Sequence, residues 1–192
     1  MRLAMLQFSI IMEIEKERRV ALFVDGGNFY KRIRQDGVVP KGTKFDYVKF
    51  ADFLARGRKI SSKSYYIGIV RNHDNSKKSQ KMVVSQQKFL SGLENNGYQV
   101  KKGRIVYDNE IREKGVDVQI AIDLVIGAVE NSYDTAIIVS SDTDLIPAIK
   151  YVRAKGKNVE YVGFSHAPSL GMIKESDNSI LFLKEQLDSF KS

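Results

Sequence analysis

Short β-branched runs alternate along this chain with longer segments whose apolar residues recur three and four apart, and that alternation leaves few folds open. Val20-Ala21-Leu22-Phe23-Val24, Tyr65 to Val70, Tyr98 to Val106, Thr135 to Ser140 and Asn158 to Gly163 read as strands. Asn28 to Arg34, a segment capped by Asp46, Ser76 to Asn95, Asp117 to Glu130 and Asp144 to Ala154 read as helices. The helix after Asp46 is expected to bury Val48, Phe50, Phe53 and Leu54. The next one is expected to bury Met82, Val83, Phe89, Leu90 and Leu93, and to end at Asn96-Gly97. Ile180 to Leu183 reads as an edge strand or a helix start. Strands separated by helices pair in parallel through right-handed crossovers, with helices on both sheet faces. The fold class is therefore α/β, with the strand order open between 2-1-3-4-5 and 3-2-1-4-5.

In such sheets ligands bind beyond the carboxyl ends of the strands, so the residues just after each strand carry the information. Asp25-Gly26-Gly27-Asn28 follows the first strand, and Ser141-Asp142-Thr143-Asp144 follows the fourth. If those strands are neighbours, about 4.8 Å apart, Asp25 and Asp142 can share a cation. Carboxylates with open positions suit Mg²⁺ or Mn²⁺. A helix cap accounts for one aspartate of this set but not for all of them. The glycine pair fits a tight turn, where glycine tolerates positive φ, and Asn28 fits a cap equally well.

A second acidic element opens the helix at Asp117. Asp123 lies six residues on among apolar neighbours, roughly 9 Å along the axis, so it is read as a supporting or structural carboxylate that needs a partner. Cations collect on the same edge: Lys31 and Arg32 after the first strand, Arg71, Lys77, Lys78 and Lys81 after the second, and Arg112 and Lys114 before Asp117. Acids ringed by cations fit metal-assisted attack on a phosphodiester, with flanking phosphates held by Lys and Arg.

Composition narrows the alternatives. At 192 residues the chain has the size of one domain, with residues 18–192 forming it and 1–17 an N-terminal extension. The first twelve residues are apolar but broken by Gln7 and Ser9. They read as an extension, or as lying ahead of a native start at Met12, rather than as a secretory signal. With 0 Cys there is no thiolate zinc site and no cysteine nucleophile, and 2 His exclude a three-histidine centre. His73 and His166 have no partner at metal-ligand spacing and read as surface loop residues. The 31 Lys and Arg against 23 Asp and Glu give a net charge of +8, which favours an anionic partner, nucleic acid being the commonest. No apolar run reaches the ~20 residues of a membrane span, and with no Cys and no convincing secretory signal a cytoplasmic location is the expectation.

The set Phe23 to Tyr30, Lys114 to Asp117, Val139 to Leu145 and Gly156 to Gly163 resembles the NYN domain family of the PIN-like nucleases, over roughly residues 18–185. The resemblance implies a single three-layer PIN-like domain with a parallel sheet of order 3-2-1-4-5. It implies Mg²⁺ or Mn²⁺ held by Asp25, Asp117, Asp142 and Asp144, with Asn28 positioning Asp25 or substrate. Ser140 and Ser141 join Asp123 as supporting residues. Ser141 stands where the family often has glycine, and Leu145 where it often has phenylalanine. The implied activity is ribonuclease, with a catalytically weak RNA-binding module of the same fold as the alternative. Homodimerisation is left open.

Overall fold

The computed structural model describes residues 17–34, 38–40, 43–72, 74–107 and 111–191. His73, the first sixteen residues of the extension and parts of the 35–44 loop lie outside them. The strands are β1 (Arg19–Asp25), β2 (Lys59–Ile69), β3 (Gln99–Tyr107), β4 (Ile111–Lys114), β5 (Thr135–Val139), β6 (Asn158–Phe164) and β7 (Asn178–Phe182). The helices are α1 (Gly26–Arg34), α2 (Tyr47–Ala55), α3 (Lys77–Asn95), α4 (Val116–Val129), α5 (Ile146–Ala154), α6 (Leu170–Glu175) and α7 (Lys184–Leu187).

One sheet runs β4-β3-β2-β1-β5-β6-β7. Every pairing is parallel except β3 with β4, which form an antiparallel edge hairpin. With that hairpin strand set aside, the order is 3-2-1-4-5-6. The expected 3-2-1-4-5 core is present, and β7 adds a sixth parallel strand at the far edge. Val24 pairs with Val139, so the ends of β1 and β5 are neighbours at the centre of the sheet.

Period-two alternation divides the central strands between two cores. Val20, Leu22 and Val24 face α1, α2, α3 and α7, where Phe29, Phe50, Phe164, Phe182 and Phe190 are buried together. Ala21 and Phe23 face α4, α5 and α6, with Ile120, Leu124, Ile149, Val152 and Met172. The two cores make the three-layer arrangement that covers both faces of a parallel sheet.

Caps start the helices where short polar residues stand. Asp46 accepts from Lys49 N at 2.9 Å, and Ser76 from Ser79 N at 3.0 Å. Gly97, at φ 78°, follows the end of α3 as expected. Two residues expected inside lie on the surface: Phe53 and Met82 are each 49% exposed. Phe53 sits on the rim of the aromatic cluster, its ring 5.5 Å from that of Phe190. Met82 lies beside Lys77, Lys78 and Lys81 on the outer side of α3. Among the described residues no helix is long and apolar enough to cross a membrane.

Candidate active site

Asp25 ends β1 in the middle of the carboxyl edge and is 5% exposed. One carboxylate oxygen accepts from Asn28 N at 2.9 Å, in the manner of an N-cap for α1. The other accepts from Ser140 Oγ at 2.8 Å. Ser140 follows β5 directly, so adjacency of two strands brings the hydroxyl to the acid. The same Oγ accepts from Asp142 N at 3.2 Å. The Asn28 side chain accepts from Ser141 N at 3.2 Å, a second tie between the β1 and β5 loops.

Gly26 meets a different need from the one its sequence setting suggests. Its φ is not positive. A Cβ there would stand 2.7 Å from the Tyr66 carbonyl oxygen and 2.3 Å from the Tyr65 ring. Glycine is required because α1 starts against β2, and that close approach fixes the direction in which Asp25 leaves its strand.

Asp142 caps the short 3₁₀ turn Thr143–Leu145 by accepting from Asp144 N at 2.9 Å. Asp117 lies in the first turn of α4 and is half-buried. These acids sense one another. Burial pushes the Asp25 carboxyl up to about 6, against the pull of its two hydrogen bonds, and the charges of Asp117 and Asp142 add to the rise. The Asp117 carboxyl is raised too, first by burial and then by Asp142 and Asp144. The four aspartates thus form one electrostatic unit at the central switch of the sheet. Among the described residues, no three His, Asp or Glu side chains stand at the spacing that would ligate one ion. The donor chemistry, carboxylates backed by hydroxyls, still fits a hard divalent cation. Unneutralised like charges also have a reason to stand apart.

Asp123 is not part of this unit. It accepts from Tyr66 Oη at 3.0 Å and Gln119 Nε2 at 2.8 Å, with Lys101 at 3.6 Å. Those contacts join α4 to β2 and β3, and they supply the partner its apolar setting required. Lys77, Lys78 and Lys81 are exposed at the start of α3, where a groove of about 430 Å³ runs between them and Ser85. Arg71 and Lys31 are exposed, Arg32 is half-buried, and Lys114 is exposed at the end of β4. Arg112 lies on β4, and its side chain is outside the described residues.

Tyr161 was not legible as a site residue. It is fully buried in β6, yet its Oη lies 3.2 Å from Ser141 Oγ and accepts from Ser169 N at 3.2 Å. It thereby props the Ser141-Asp142 loop from below. A tyrosine in an apolar strand reads as core, and only its strand's place beside β5 separates the two roles.

A parallel sheet of this order, with acids gathered over its two central strands, defines a nuclease-like fold of the PIN-like class. The family model described as the NYN domain matches residues 19–183, and the chain belongs to that family. A crystal structure of a protein of unknown function from Vibrio parahaemolyticus RIMD 2210633 is similar in fold, with a TM-score of 0.68 and 22% identity. The match covers 92% of this chain and 98% of that one. No curated protein matches the chain.

Proposed function

We infer that this chain is a metal-dependent ribonuclease that hydrolyses phosphodiester bonds in single-stranded RNA in the cytoplasm. The observation that carries the reading is the Asp25 carboxylate, held by Ser140 and raised chiefly by burial, with the charges of Asp117 and Asp142 adding to the rise. Strongly perturbed acids in one place are costly to a fold and gather where chemistry needs them.

Asp25, Asp117, Asp142 and Asp144 are the residues that would hold Mg²⁺ or Mn²⁺. Such an ion, when bound, neutralises charge on a phosphate oxygen and acidifies water at neutral pH. Ser140 and the Asn28 amide N–H fix the Asp25 oxygens, so that acid needs little reorganisation. Asp142 is held by its cap contact, and Asp144 is carried on the same turn.

The cations supply the phosphate grip. Lys77 and Lys78 lie in the first turn of α3, where the helix dipole is already positive and disfavours a cation. Lysines at that end, with Lys81 one turn on, make an anion-attracting patch on the helix that follows β2, the strand paired with β1. Lys31, Arg32, Arg71, Arg112 and Lys114 extend the same edge.

The test is cleavage of a single-stranded RNA panel by the unaltered chain, Asp25→Asn and Asp142→Asn, in Mg²⁺, Mn²⁺ or EDTA. Cleavage that needs the metal and is lost in both variants supports the reading. RNA binding without cleavage in either metal returns the chain to the alternative, an RNA-binding module of the same fold.

A further inference from the structure

Helix α4 is apolar on more than its buried side. Val116, Ile120, Leu124 and Ala128 face the sheet, but Val118, Ile122, Ile126 and Val129 point outward, with Val118 63% and Val129 60% exposed. Between α4 and α5 this stripe forms a groove of about 610 Å³, walled on the far side by Pro147 and Tyr151. A helix that is hydrophobic all round belongs in an interior. The groove opens at one end onto Asp117 and Asp144.

The other end of α4 lies where the preceding chain enters the fold. Arg19 donates its N–H to Asp134 Oδ2 at 2.8 Å, its Nε to the same oxygen at 3.0 Å, and its Nη2 to Asn131 Oδ1 at 3.2 Å. Asn131 comes two residues after the last residue of α4. Glu17 is helical. The sixteen residues before it would span about 24 Å as a helix, against about 21 Å for the fourteen residues of α4. Leu3, Leu6, Ile10 and Ile14 recur three and four apart, with Arg2, Ser9, Glu13 and Lys16 along one flank of that stripe.

We propose that residues 3–14 dock as a helix in the α4–α5 groove, parallel to α4, and end beside Asp117 and Asp144. A second copy of the chain is the weaker occupant. The outer stripe of one such helix, about 21 Å by 10 Å, is well below the roughly 800 Å² per partner of a stable interface. A tethered segment also binds at an effective concentration in the millimolar range, about what a free partner would have to reach. With Glu17 set about one turn past Val129, where Arg19 meets Asn131, the helical rise brings Leu6 level with Ile122 and Ile10 with Ile126.

The chain has 0 Cys, so introduced pairs report without background. Full-length variants carrying Leu6→Cys with Ile122→Cys, or Ile10→Cys with Ile126→Cys, are oxidised mildly. They are compared with Leu6→Cys with Val129→Cys, which stands about 10 Å out of register. The expected result is near-complete intramolecular disulfide in both matched pairs and little in the offset pair, since a disulfide needs Cα atoms within about 7 Å. Matched pairs that stay reduced overturn the proposal. Disulfides that form only between molecules overturn it in favour of a second copy. If a cysteine pair fails to fold, dye fluorescence decides. The full chain with Leu6→Asp and Ile10→Asp is expected to bind a hydrophobic dye several-fold more than the unaltered chain. Equal dye binding by the two overturns the proposal.

Discussion

Replacing Asp25 by asparagine should make the metal-free protein more stable at neutral pH, although it removes a hydrogen-bonded, buried side chain. The carboxyl is raised from 3.8 to about 6, chiefly by burial, with Asp117 and Asp142 adding to the rise. Below 3.8 it is protonated in both the native and unfolded chains, and the native state bears no penalty. Between 3.8 and about 6 the native chain keeps the proton that the unfolded chain has lost, so stability falls as pH rises. Above about 6 both forms are ionised and the full penalty remains. At roughly 1.4 kcal/mol for each pH unit, that penalty is about 3 kcal/mol. Asparagine is never charged, so it escapes this cost. It must turn an NH₂ toward Asn28 N or Ser140 Oγ, both of which now donate to a carboxylate, and that mismatch costs about 1 kcal/mol. The net gain of about 2 kcal/mol corresponds to a Tm higher by about 4–8 °C in a chain of this size.

Thermal melts of both proteins in EDTA, from about pH 4 to about pH 7, measure this directly. The gap should be near zero or slightly negative at the acid end and should open as pH rises through the Asp25 range. Adding Mn²⁺ should then raise the parent more than the variant. A ligand at a hundred times its Kd contributes about 2.7 kcal/mol to the state that binds it. Parallel pH profiles in EDTA would refute the buried-charge argument. Equal Mn²⁺ shifts in the two proteins would refute Asp25 as a metal ligand.

Glu160→Gln should lower stability by about 3–5 kcal/mol in a denaturant melt, because it strands Arg58 in a buried, two-pronged ion pair of 2.7 and 2.9 Å. Asp123→Ala should cost about 1–3 kcal/mol through its lost bonds to Tyr66 and Gln119, with RNA cleavage retained once the protein is cooled below its melt. Lys77→Ala with Lys78→Ala should weaken RNA binding at low salt and flatten the salt dependence by about 0.7 per lost phosphate contact, read from titrations at several salt concentrations.

The central strands were legible because burial on both sides demands unbroken apolar, β-branched runs, as in Val20 to Val24 and Thr135 to Val139. The first half of β2 was not. Lys59 to Lys63 is largely polar, and Lys63 is held by the Asn96 carbonyl at 2.7 Å and lies over the Tyr98 ring. That is a tertiary fit with no local pattern. The β4 hairpin was hidden for a related reason. Ile111 to Lys114 is a short, charged edge strand, and edges are kept polar to discourage further pairing. Phe53 and Met82 satisfy helical periodicity but lie where the apolar face meets solvent, a distinction that spacing does not carry.

The site divides along the same line. Asp25 and Asp142 were readable because parallel topology makes residues after neighbouring strands converge. The cap and ligand readings of each then looked like competitors, and the geometry removes the competition. Asp25 caps α1 with one oxygen while the other faces Ser140, and Asp142 caps a 3₁₀ turn with one oxygen only. Capping immobilises an acid at a helix start without using up its acceptor capacity, since each carboxylate oxygen has two lone pairs. The same hydrogen bonds that stabilise the local turn therefore hold a ligand oxygen in place, which a flexible surface aspartate could not do. Gly26 serves that arrangement as well: it lets α1 begin against the β2 backbone, and a side chain there would push α1, and with it the cap, away from β2. Asp25, Gly26 and Asn28 are thus one device in which packing, capping and a preorganised acid require the same residues.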